Sequence, residues 1–547
     1  MNAGWRSAAP PARAPAPAFA LALVATLAGA CPAGPSPDAG DGAAAATDAG
    51  PLPPGVVATD TGLVRGAPAG ATGAVWAYEG IPYAAPPVGA LRWRPPAPAA
   101  PWSGERDATA FGAPCMQIGY PDVLFGSEDC LTLNVWTPAA PPAAPLPVLF
   151  WIHGGDNVIG SGSEPYYEGS WVAEHGPAVV VTINYRLGPF GFLAHNAFAA
   201  ENPYGSRGNY ALLDQIAALA WVQRNIAAFG GDPTRVLVHG QSAGSVDSCA
   251  LVASPLAAGL FSAALLISGG CHTGSLFSIG AGALAVENGL GCDGAADVAA
   301  CMRAATAEEV AATPGFSLFA DNPTGVDYNP IADGWVLPMH PLEMLRAGAH
   351  NHVPVIAGTT ADEYTSVIDL IWPDPVPDEA AYEAAVGALW GVNADLLLAA
   401  YPVAAYPTPR DAVSAILSDE LMHCPTRRVV RALASTQDEP VRRYVFAHVY
   451  DDPMWAPFRA AHGYDVDFAF HTFVGVVPTP AELALSETIA GLWHDFAASG
   501  DPGDVGATPW PTYDLATEPY VVLDDPPASG SAWRDAQCDL WDLLEPE

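Results

Sequence analysis

The sequence predicts an α/β fold with a large, mostly parallel central sheet flanked by helices. Residues 147–155 (PVLFWIHGG) and 178–186 (AVVVTINYR) are continuous apolar runs, typical of strands that are buried on both faces. Residues 209–233 carry leucine and isoleucine at helical spacing and end at Gly230 and Pro233, which predicts a helix. Strand-like segments follow in RVLVHG, AALLISG, HVPVIAGTT and VRRYVFAHVY. This alternation favours a parallel sheet over an all-β or an all-α fold.

The first 30 residues resemble a signal peptide. Arg6 and Arg13 precede an apolar stretch at 18–30, which is too short to cross a membrane. The stretch ends in LAGAC, which resembles a bacterial lipobox and makes Cys31 the candidate lipidated residue. The alternative is ordinary cleavage after Ala30. We therefore expect an exported protein, and a lipoprotein of the bacterial cell envelope in preference to a freely secreted one.

Residues 31–54 form a tether rich in proline, alanine and glycine, and residues 55–547 form one large domain. A flexible tether suits a chain anchored at Cys31. The sequence contains no apolar run of 20 residues, so we expect membrane attachment through a lipid anchor only.

The composition excludes several classes of function. The net charge of −38, from 58 acidic and 20 basic residues, argues against nucleic-acid binding, which needs cations against phosphate. All the basic residues are arginine, which excludes catalytic lysines and phosphate-binding P-loop lysines.

Eight cysteines remain when Cys31 is set aside, and an even number in an exported chain predicts disulfides. The short spacings favour Cys115–Cys130 and Cys292–Cys301 as local pairs. There is no Cys-x-x-Cys motif and no histidine cluster, so we expect no metal site.

The segment Gly240–Gly244 (GQSAG) is a Gly-x-Ser-x-Gly motif between an apolar strand and a predicted helix. That setting is typical of a nucleophile elbow and makes Ser242 the candidate nucleophile. The alternative is an idle serine in a glycine-rich turn. Upstream, His153–Asn157 (HGGDN) ends another strand, where backbone N–H groups could stabilise an oxyanion.

The sequence resembles the type B carboxylesterase and cholinesterase-like family of α/β-hydrolases over about residues 56–540. The matching segments, in family order, include GIPYAAPPVGALRW, SEDCLTLNVWTP, VLFWIHGG, VVVTINYRLGPFGFL, GQSAG, AGTTADE, HGYDVDFAF, FAASGDP and WPTYD. The resemblance implies an α/β-hydrolase fold with loop and helix insertions over the active site. It also implies a serine esterase that acts on small-molecule esters and needs no cofactor.

The resemblance implies a triad of Ser242, Glu363 in TADEY and His462 in AHGYD. His462 would accept the serine proton and Glu363 would orient the imidazole. The implied oxyanion donors are the amides of Gly155, Asp156 and Ala243. The family also implies buried ion pairs, Arg92–Glu128 and Arg186–Asp214, and a third disulfide, Cys424–Cys538, which leaves Cys249–Cys271 as a possible fourth.

Three departures from the family pattern affect the expected specificity. Asp156 replaces a glycine of the oxyanion loop, Gln241 replaces the usual glutamate, and the Cys115–Cys130 loop contains no tryptophan. In cholinesterases a tryptophan in that loop binds a quaternary ammonium group. We therefore expect a general carboxylesterase rather than a cholinesterase.

Two other functions remain compatible with the sequence. One is a catalytically inactive, cholinesterase-like binding protein, which intact triad residues disfavour. The other is the same triad acting on a lactone, a thioester or an amide, since loops around the pocket set specificity. The motifs leave the acyl group, the alcohol and the oligomeric state open.

Overall fold

A computed structural model describes residues 52–274, 276–313, 315–316, 327–372 and 374–544. Leu52–Glu547 forms one compact unit. The predicted signal peptide, Cys31 and the tether up to residue 51 lie outside the described residues.

The described chain contains 16 strands and 17 α-helices. The strands are β1 (Val56–Ala58), β2 (Leu63–Arg65), β3 (Ala67–Ala69), β4 (Val75–Pro82), β5 (Glu105–Asp107), β6 (Gln117–Gly119), β7 (Val123–Phe125), β8 (Thr132–Pro138), β9 (Leu146–Ile152), β10 (Val179–Ile183), β11 (Gly231–Gln241), β12 (Ala263–Ile267), β13 (Val355–Thr360), β14 (Val441–Phe446), β15 (Pro519–Leu523) and β16 (Ala528–Ser531). The helices are α1 (Ser170–His175), α2 (Gly188–Gly191), α3 (Asn196–Ala199), α4 (Tyr210–Asn225), α5 (Ala243–Ala253), α6 (Leu276–Gly289), α7 (Val298–Ala304), α8 (Ala307–Ala311), α9 (Pro341–Arg346), α10 (Ile368–Ile371), α11 (Glu379–Trp390), α12 (Ala394–Ala400), α13 (Pro409–Ser418), α14 (Cys424–Thr436), α15 (Tyr464–Phe470), α16 (Pro480–Ser499) and α17 (Asp535–Leu544).

An eleven-stranded sheet organises the domain, in the order β16-β15-β14-β13-β12-β11-β9-β10-β8-β4-β3. Its seven central strands, from β15 to β10, pair in parallel. Both edges are antiparallel, through β16 on one side and β8, β4 and β3 on the other. The predicted large, mostly parallel sheet is confirmed.

Strand β9 shows how the sheet is buried on both faces. Val148, Phe150 and Ile152 belong to one apolar cluster, and the alternate residues Leu149 and Trp151 belong to the other. Successive side chains of a strand point to opposite faces, so a fully apolar strand serves two cores. Helix α4 contributes to the first core and helix α16 to the second.

The predicted helix at 209–233 is shorter in the structure. Helix α4 ends at Asn225, a single 3₁₀ turn follows, and Gly230 ends it with a φ of 84°. Residues 231–233 already belong to β11. Gly230 therefore ends the 3₁₀ turn and not the α-helix. The last residue of the turn, Phe229, lies four residues beyond the end of α4.

Within the described residues, four disulfides and several buried ion pairs, including the two that the resemblance implies, cross-link the domain. The disulfides are Cys115–Cys130, Cys249–Cys271, Cys292–Cys301 and Cys424–Cys538. Arg92 contacts Glu128 through two 2.6 Å hydrogen bonds, and Arg186 contacts Asp214 at 2.6 and 2.7 Å. These bidentate pairs suit the buried sites in which they lie.

The segment Glu379–Ala400 is long and apolar enough to cross a membrane by length and composition. It consists of α11 and α12, separated by a 3₁₀ turn, Gly391–Asn393, in which Gly391 has a φ of 52°. Three residues of this segment, Tyr382, Val386 and Leu397, belong to a small apolar cluster. That cluster also contains Cys538 and Trp541 of the C-terminal helix α17. Helices that pack on a protein core pass the same length and composition test.

Candidate active site

Ser242 occupies a sharp turn between β11 and α5. Its backbone has φ 58° and ψ −125°, a conformation that non-glycine residues rarely adopt. A Cβ atom on Gly240 would overlap the carbonyl of Gly244, and one on Gly244 would overlap the carbonyl of Ile152. The glycines are therefore required by close backbone approach, as expected for a nucleophile elbow.

Backbone hydrogen bonds fix this turn. The Ser242 amide donates to the carbonyl of Ile267 at 2.9 Å, and its carbonyl accepts from Ser245 and Val246. The strained serine is thus held between β12 and the first turn of α5. Its Oγ has no hydrogen bond to any residue that the structure describes.

Glu363 and His462 form a hydrogen-bonded pair close to this turn. Glu363 follows β13 and is fully buried, and its Oε1 accepts the Thr360 amide at 2.8 Å. Its Oε2 lies 2.5 Å from Nδ1 of His462, and the His462 amide donates to the Glu363 carbonyl at 3.1 Å. Two contacts therefore set the orientation of the imidazole.

The two groups shift each other's pKa in opposite directions. Burial raises the pKa of the Glu363 carboxyl, but the charge and hydrogen bond of His462, helped by His423 and Ser268, leave the pKa below the usual value. Burial lowers the pKa of His462, but the Glu363 charge and hydrogen bond, helped by Asp465, raise it above 6.5 overall. The pair is therefore arranged to stabilise an imidazolium.

Gln241 makes a contact that the sequence did not predict. Its side-chain amide lies 2.9 Å from Nε2 of His462, on the opposite side of the ring from Glu363. The two side chains are 221 residues apart, so no local pattern could reveal the contact. Gln241 is 7% exposed and lies directly before the serine.

The loop after β9 brings backbone amides toward the elbow. Gly154 packs so closely on Gln241 and Ser242 that a Cβ atom there would lie 3.0 Å from Cβ of Ser242. Gly155 has a φ of 109° and Asp156 a φ of 54°. Within the described residues, the amides of Gly155, Asp156 and Ala243 have no hydrogen-bond acceptor, so they can donate to a ligand.

Asp156 keeps its left-handed backbone although it is not glycine. Its carboxylate makes no hydrogen bond to Ser242 within the described residues. Solvent reaches the side chain, but protein surrounds most of it, and this desolvation with the charge of Asp327 raises the pKa to about 6. Its charge also raises the pKa of Tyr364. A titratable carboxyl therefore lies in the loop that carries the candidate oxyanion donors.

A buried polar network joins this loop to α5. Asn157 Nδ2 donates to Asp247 at 3.5 Å, and Gln215 Nε2 donates to the other carboxylate oxygen at 2.5 Å. The Tyr185 hydroxyl donates to the His153 carbonyl at 2.8 Å. Burial raises the pKa of Asp247 to about 7.

Sequence reasoning missed Asp247, although one signal was available. An aspartate within the apolar helix sequence SVDSCALVA is costly to bury without polar partners. Such a residue predicts polar partners elsewhere, and here they are Gln215 in α4 and Asn157 in the loop after β9.

A cavity of about 230 Å³ opens beside His462 and Gln241. Carboxyl groups and aromatic rings dominate its wall, which comprises Glu164, Tyr166, Tyr167, Gln241, Tyr450, Trp455, His462, Gly463, Tyr464, Val466, Asp467, Val474 and Val476. The cavity borders the imidazole of His462, and Ser242 is not among its lining residues.

The other histidines that flank apolar strands have structural contacts. His153 is buried, stacks on Tyr185 at 4.4 Å and has its pKa lowered to about 4 by burial. His448 contacts Asp524 at 2.9 Å, and His471 contacts Ser486 at 2.8 Å. Within the described ranges, no group of three or more histidine, cysteine, aspartate or glutamate residues could hold a metal ion.

Comparison with known proteins gives consistent matches along the chain. A model of the carboxylesterase family matches residues 53–541. Fumonisin B1 esterase from Sphingopyxis macrogoltabida is 35% identical over 492 residues, which cover 85% of this chain and 87% of that protein. Para-nitrobenzyl esterase from Bacillus subtilis (strain 168) is 35% identical over 495 residues, covering 86% and 94%. Cocaine esterase from Homo sapiens is 33% identical over 532 residues, covering 89% and 91%.

The fold has a close counterpart among solved structures. A PNB esterase structure superimposes with a TM-score of 0.76 at 34% sequence identity, covering 89% of this chain and 100% of that one.

Proposed function

The chain belongs to the carboxylesterase family, and from this premise we propose that it hydrolyses carboxylic esters through a Ser242–His462–Glu363 triad. The observation that carries the proposal is the 2.5 Å contact between Glu363 and His462 beside the strained Ser242 turn. A carboxylate, an imidazole and a strained serine are the parts that nucleophilic acyl transfer requires.

In the first half of the reaction, His462 Nε2 takes the proton of Ser242 as Oγ attacks the ester carbonyl. The resulting oxyanion accepts hydrogen bonds from the amides of Gly155, Asp156 and Ala243, each worth about 3 kcal/mol of the barrier. Glu363 stabilises the imidazolium that forms. His462 then gives its proton to the leaving alkoxide, which departs as the alcohol and leaves an acyl-enzyme.

In the second half, His462 removes a proton from water, and the hydroxide attacks the acyl carbonyl. The second tetrahedral intermediate collapses when its bond to Ser242 Oγ breaks, and His462 returns the proton to the serine. The product is a carboxylic acid, and the cycle needs no cofactor.

We propose a general carboxylesterase rather than a cholinesterase. The Cys115–Cys130 loop carries no tryptophan, and Gln241 supplies no charge next to the serine. The relatives are named for three different esters, fumonisin B1, para-nitrobenzyl and cocaine esters, which supports a wide range of ester substrates within the family.

The decisive experiment replaces the nucleophile. Ser242→Ala should lower hydrolysis of short p-nitrophenyl esters by about 10⁴-fold or more and leave the far-UV spectrum unchanged. Ser248→Ala, in the helix α5 that follows Ser242, is the matched control and should retain activity. A fluorophosphonate should label the wild type but not Ser242→Ala. Full activity in Ser242→Ala would refute the mechanism, and an unlabelled, inactive wild type would favour a binding protein.

We also propose that the protein is exported and anchored through a lipid on Cys31. The support is the arginine-flanked apolar stretch that ends in LAGAC, followed by the tether. Labelled palmitate should enter the wild type expressed in a bacterium and should not enter Cys31→Ala. Equal labelling of the two, or of neither, would contradict the anchor.

A further inference from the structure

We propose that His423 is a positioning residue for the triad, a buried imidazolium that keeps the Glu363 carboxyl ionised while His462 is neutral. This inference rests on the proposed function, because it assigns a further role at the same site. His423 is 1% exposed and does not line the cavity beside His462. Its effect on the reaction therefore passes through Glu363.

A π-helical turn, Asp419–His423, brings this histidine toward the triad acid. The turn joins α13 to α14, and the Cys424 amide donates to the Asp419 carbonyl across it. Turns of this kind are rare and occur often at functional sites. Here the turn directs the His423 ring at the end of β13, where the carbonyl of Thr360 accepts a hydrogen bond from it.

Thr360, the last residue of β13, contacts both His423 and Glu363. Its amide donates to Glu363 Oε1 at 2.8 Å, and its carbonyl lies 2.9 Å from His423 Nε2. The carboxylate and the second imidazole are therefore joined through one buried residue. A carbonyl oxygen can only accept a hydrogen bond, so Nε2 of His423 must carry a proton.

The other ring nitrogen of His423, Nδ1, also faces an acceptor, because it lies 2.9 Å from Oδ1 of Asp419. Arg534 donates to both oxygens of this carboxylate, and the Tyr401 hydroxyl donates to Oδ2 at 2.7 Å. Burial raises the pKa of Asp419, but the His423 hydrogen bond and the Arg534 charge leave it below the usual value. An ionised carboxylate can only accept, so Nδ1 must donate as well. A ring that donates from both nitrogens is an imidazolium.

The balance of charge around the ring favours the same state. Five charged side chains contact His423 or line with it a separate cavity of about 300 Å³: Asp362, Asp411, Asp419, Arg459 and Arg534. Arg459 contacts Asp362 at 2.8 Å and Asp411 at 2.9 Å, while Arg534 contacts Asp419. Three carboxylates thus face two guanidinium groups, and an imidazolium at His423 supplies the third cation. Without it, the excess negative charge would oppose ionisation of Glu363.

This charge matters most before the reaction begins. Burial raises the pKa of Glu363, the charge and hydrogen bond of His462 lower it, and the charge of His423 lowers it further. In the proposed mechanism His462 is neutral until Ser242 attacks, so its own charge is absent at that stage. His423 is then the cation that disfavours protonation of Glu363. An ionised Glu363 keeps the proton of His462 on Nδ1 and the lone pair on Nε2.

The test is the pH profile of kcat/KM for His423→Gln with p-nitrophenyl acetate. Glutamine can still donate to the Thr360 carbonyl but carries no charge, so this variant separates the charge from the hydrogen bond. Loss of a cation raises the proton affinity of the Glu363–His462 pair, so the acid limb should move upward by about half a pH unit or more. A purely structural role would lower kcat or stability without moving the limb.

Two further variants complete the comparison. His423→Leu removes both the charge and the donor, and its limb should move in the same direction, so it replaces His423→Gln if that variant does not fold. His195→Gln removes another buried histidine, one that faces Glu287 at 3.0 Å away from the triad, and should leave the limb in place. A limb that coincides with the wild-type limb in the His423 variants would overturn the proposal.

NMR of protein labelled with nitrogen-15 in its histidines separates this proposal from the proposed function, because it requires no turnover. Signals that are missing from a His423 variant belong to His423, and both of its nitrogens should be protonated at about pH 7. The His462 ring should titrate at a higher pH in the variant than in the wild type. A neutral His423 or an unshifted His462 would overturn the proposal. Fluorophosphonate labelling reports Ser242 alone and so tests the proposed function independently.

Discussion

The side-chain amide of Gln241 lies 2.9 Å from Nε2 of His462, the nitrogen that the mechanism requires to accept the Ser242 proton. Nδ1 of the same ring faces Glu363. A neutral imidazole with its proton on Nδ1 can accept a hydrogen bond from the Gln241 amide at Nε2. In this arrangement, Gln241 stabilises the neutral ring but occupies the lone pair that the proposed mechanism uses, so this hydrogen bond must break before Nε2 accepts the Ser242 proton.

Replacing Gln241 with glutamate should make His462 harder to deprotonate. A carboxylate at this distance stabilises the imidazolium, so Gln241→Glu should move the acid limb of the kcat/KM profile upward by about one pH unit. Gln241→Met keeps the size but removes the hydrogen bond that stabilises the neutral ring, so its acid limb should move upward by less than that of Gln241→Glu. A pH–rate profile with p-nitrophenyl acetate measures both. An unshifted limb in Gln241→Glu would show that residue 241 does not act on His462.

The Glu363–His462 contact predicts the pH dependence of the wild type. Because the pKa of His462 is raised above 6.5, activity should fall as the pH drops through a value above 6.5. Glu363→Gln removes the charge that raises this pKa, so the acid limb should move down while kcat falls by about 10³- to 10⁴-fold. Single-turnover kinetics across the pH range would reveal both effects. If the acid limb of Glu363→Gln stays at the wild-type pH, a group other than His462 is responsible for that limb.

Prediction from the sequence worked where the signal was local or carried by family motifs. The apolar runs of β9 and β10 identified buried parallel strands because both faces of each strand need apolar side chains. The glycines around Ser242 marked a turn that only small residues permit. Glu363 was placed by its motif, and its buried contact with His462 follows from the fold.

Contacts between distant side chains that no family motif marks could not be predicted in this way. The Gln241–His462 contact and the Asn157–Asp247 contact depend on where β11, α5 and their neighbouring loops meet after folding. A sequence shows a polar residue in an apolar segment, but it does not show which partner satisfies that residue. The acidic, aromatic cavity beside His462 is likewise assembled from separate segments of the chain.

Asp156 should oppose catalysis when it is ionised. Its pKa is raised to about 6, so the carboxyl is mostly neutral below that pH and negative above it. A negative charge beside the proposed oxyanion donors disfavours the charge that develops in the transition state. Asparagine tolerates the left-handed φ of 54°. The kcat ratio of Asp156→Asn to wild type should therefore be close to one at about pH 5 and rise severalfold as the pH passes through about 6. If this kcat ratio does not change with pH, the charge of the Asp156 carboxylate has no effect on the oxyanion.

The Cys424–Cys538 disulfide should stabilise the domain more than Cys292–Cys301 does. The first bond closes a loop of 114 residues and the second a loop of 9. By the loop-entropy relation, these correspond to about 4–5 and about 2–3 kcal/mol of unfolding free energy. The double variants Cys424→Ala/Cys538→Ala and Cys292→Ala/Cys301→Ala should therefore differ in denaturant midpoint in that order. Cys538 lies in α17, which also contacts α14 through Arg427–Asp539 and Arg428–Asp542 ion pairs. If both variants lost equal stability, those ion pairs and the apolar cluster, rather than the disulfide, would hold α17 in place.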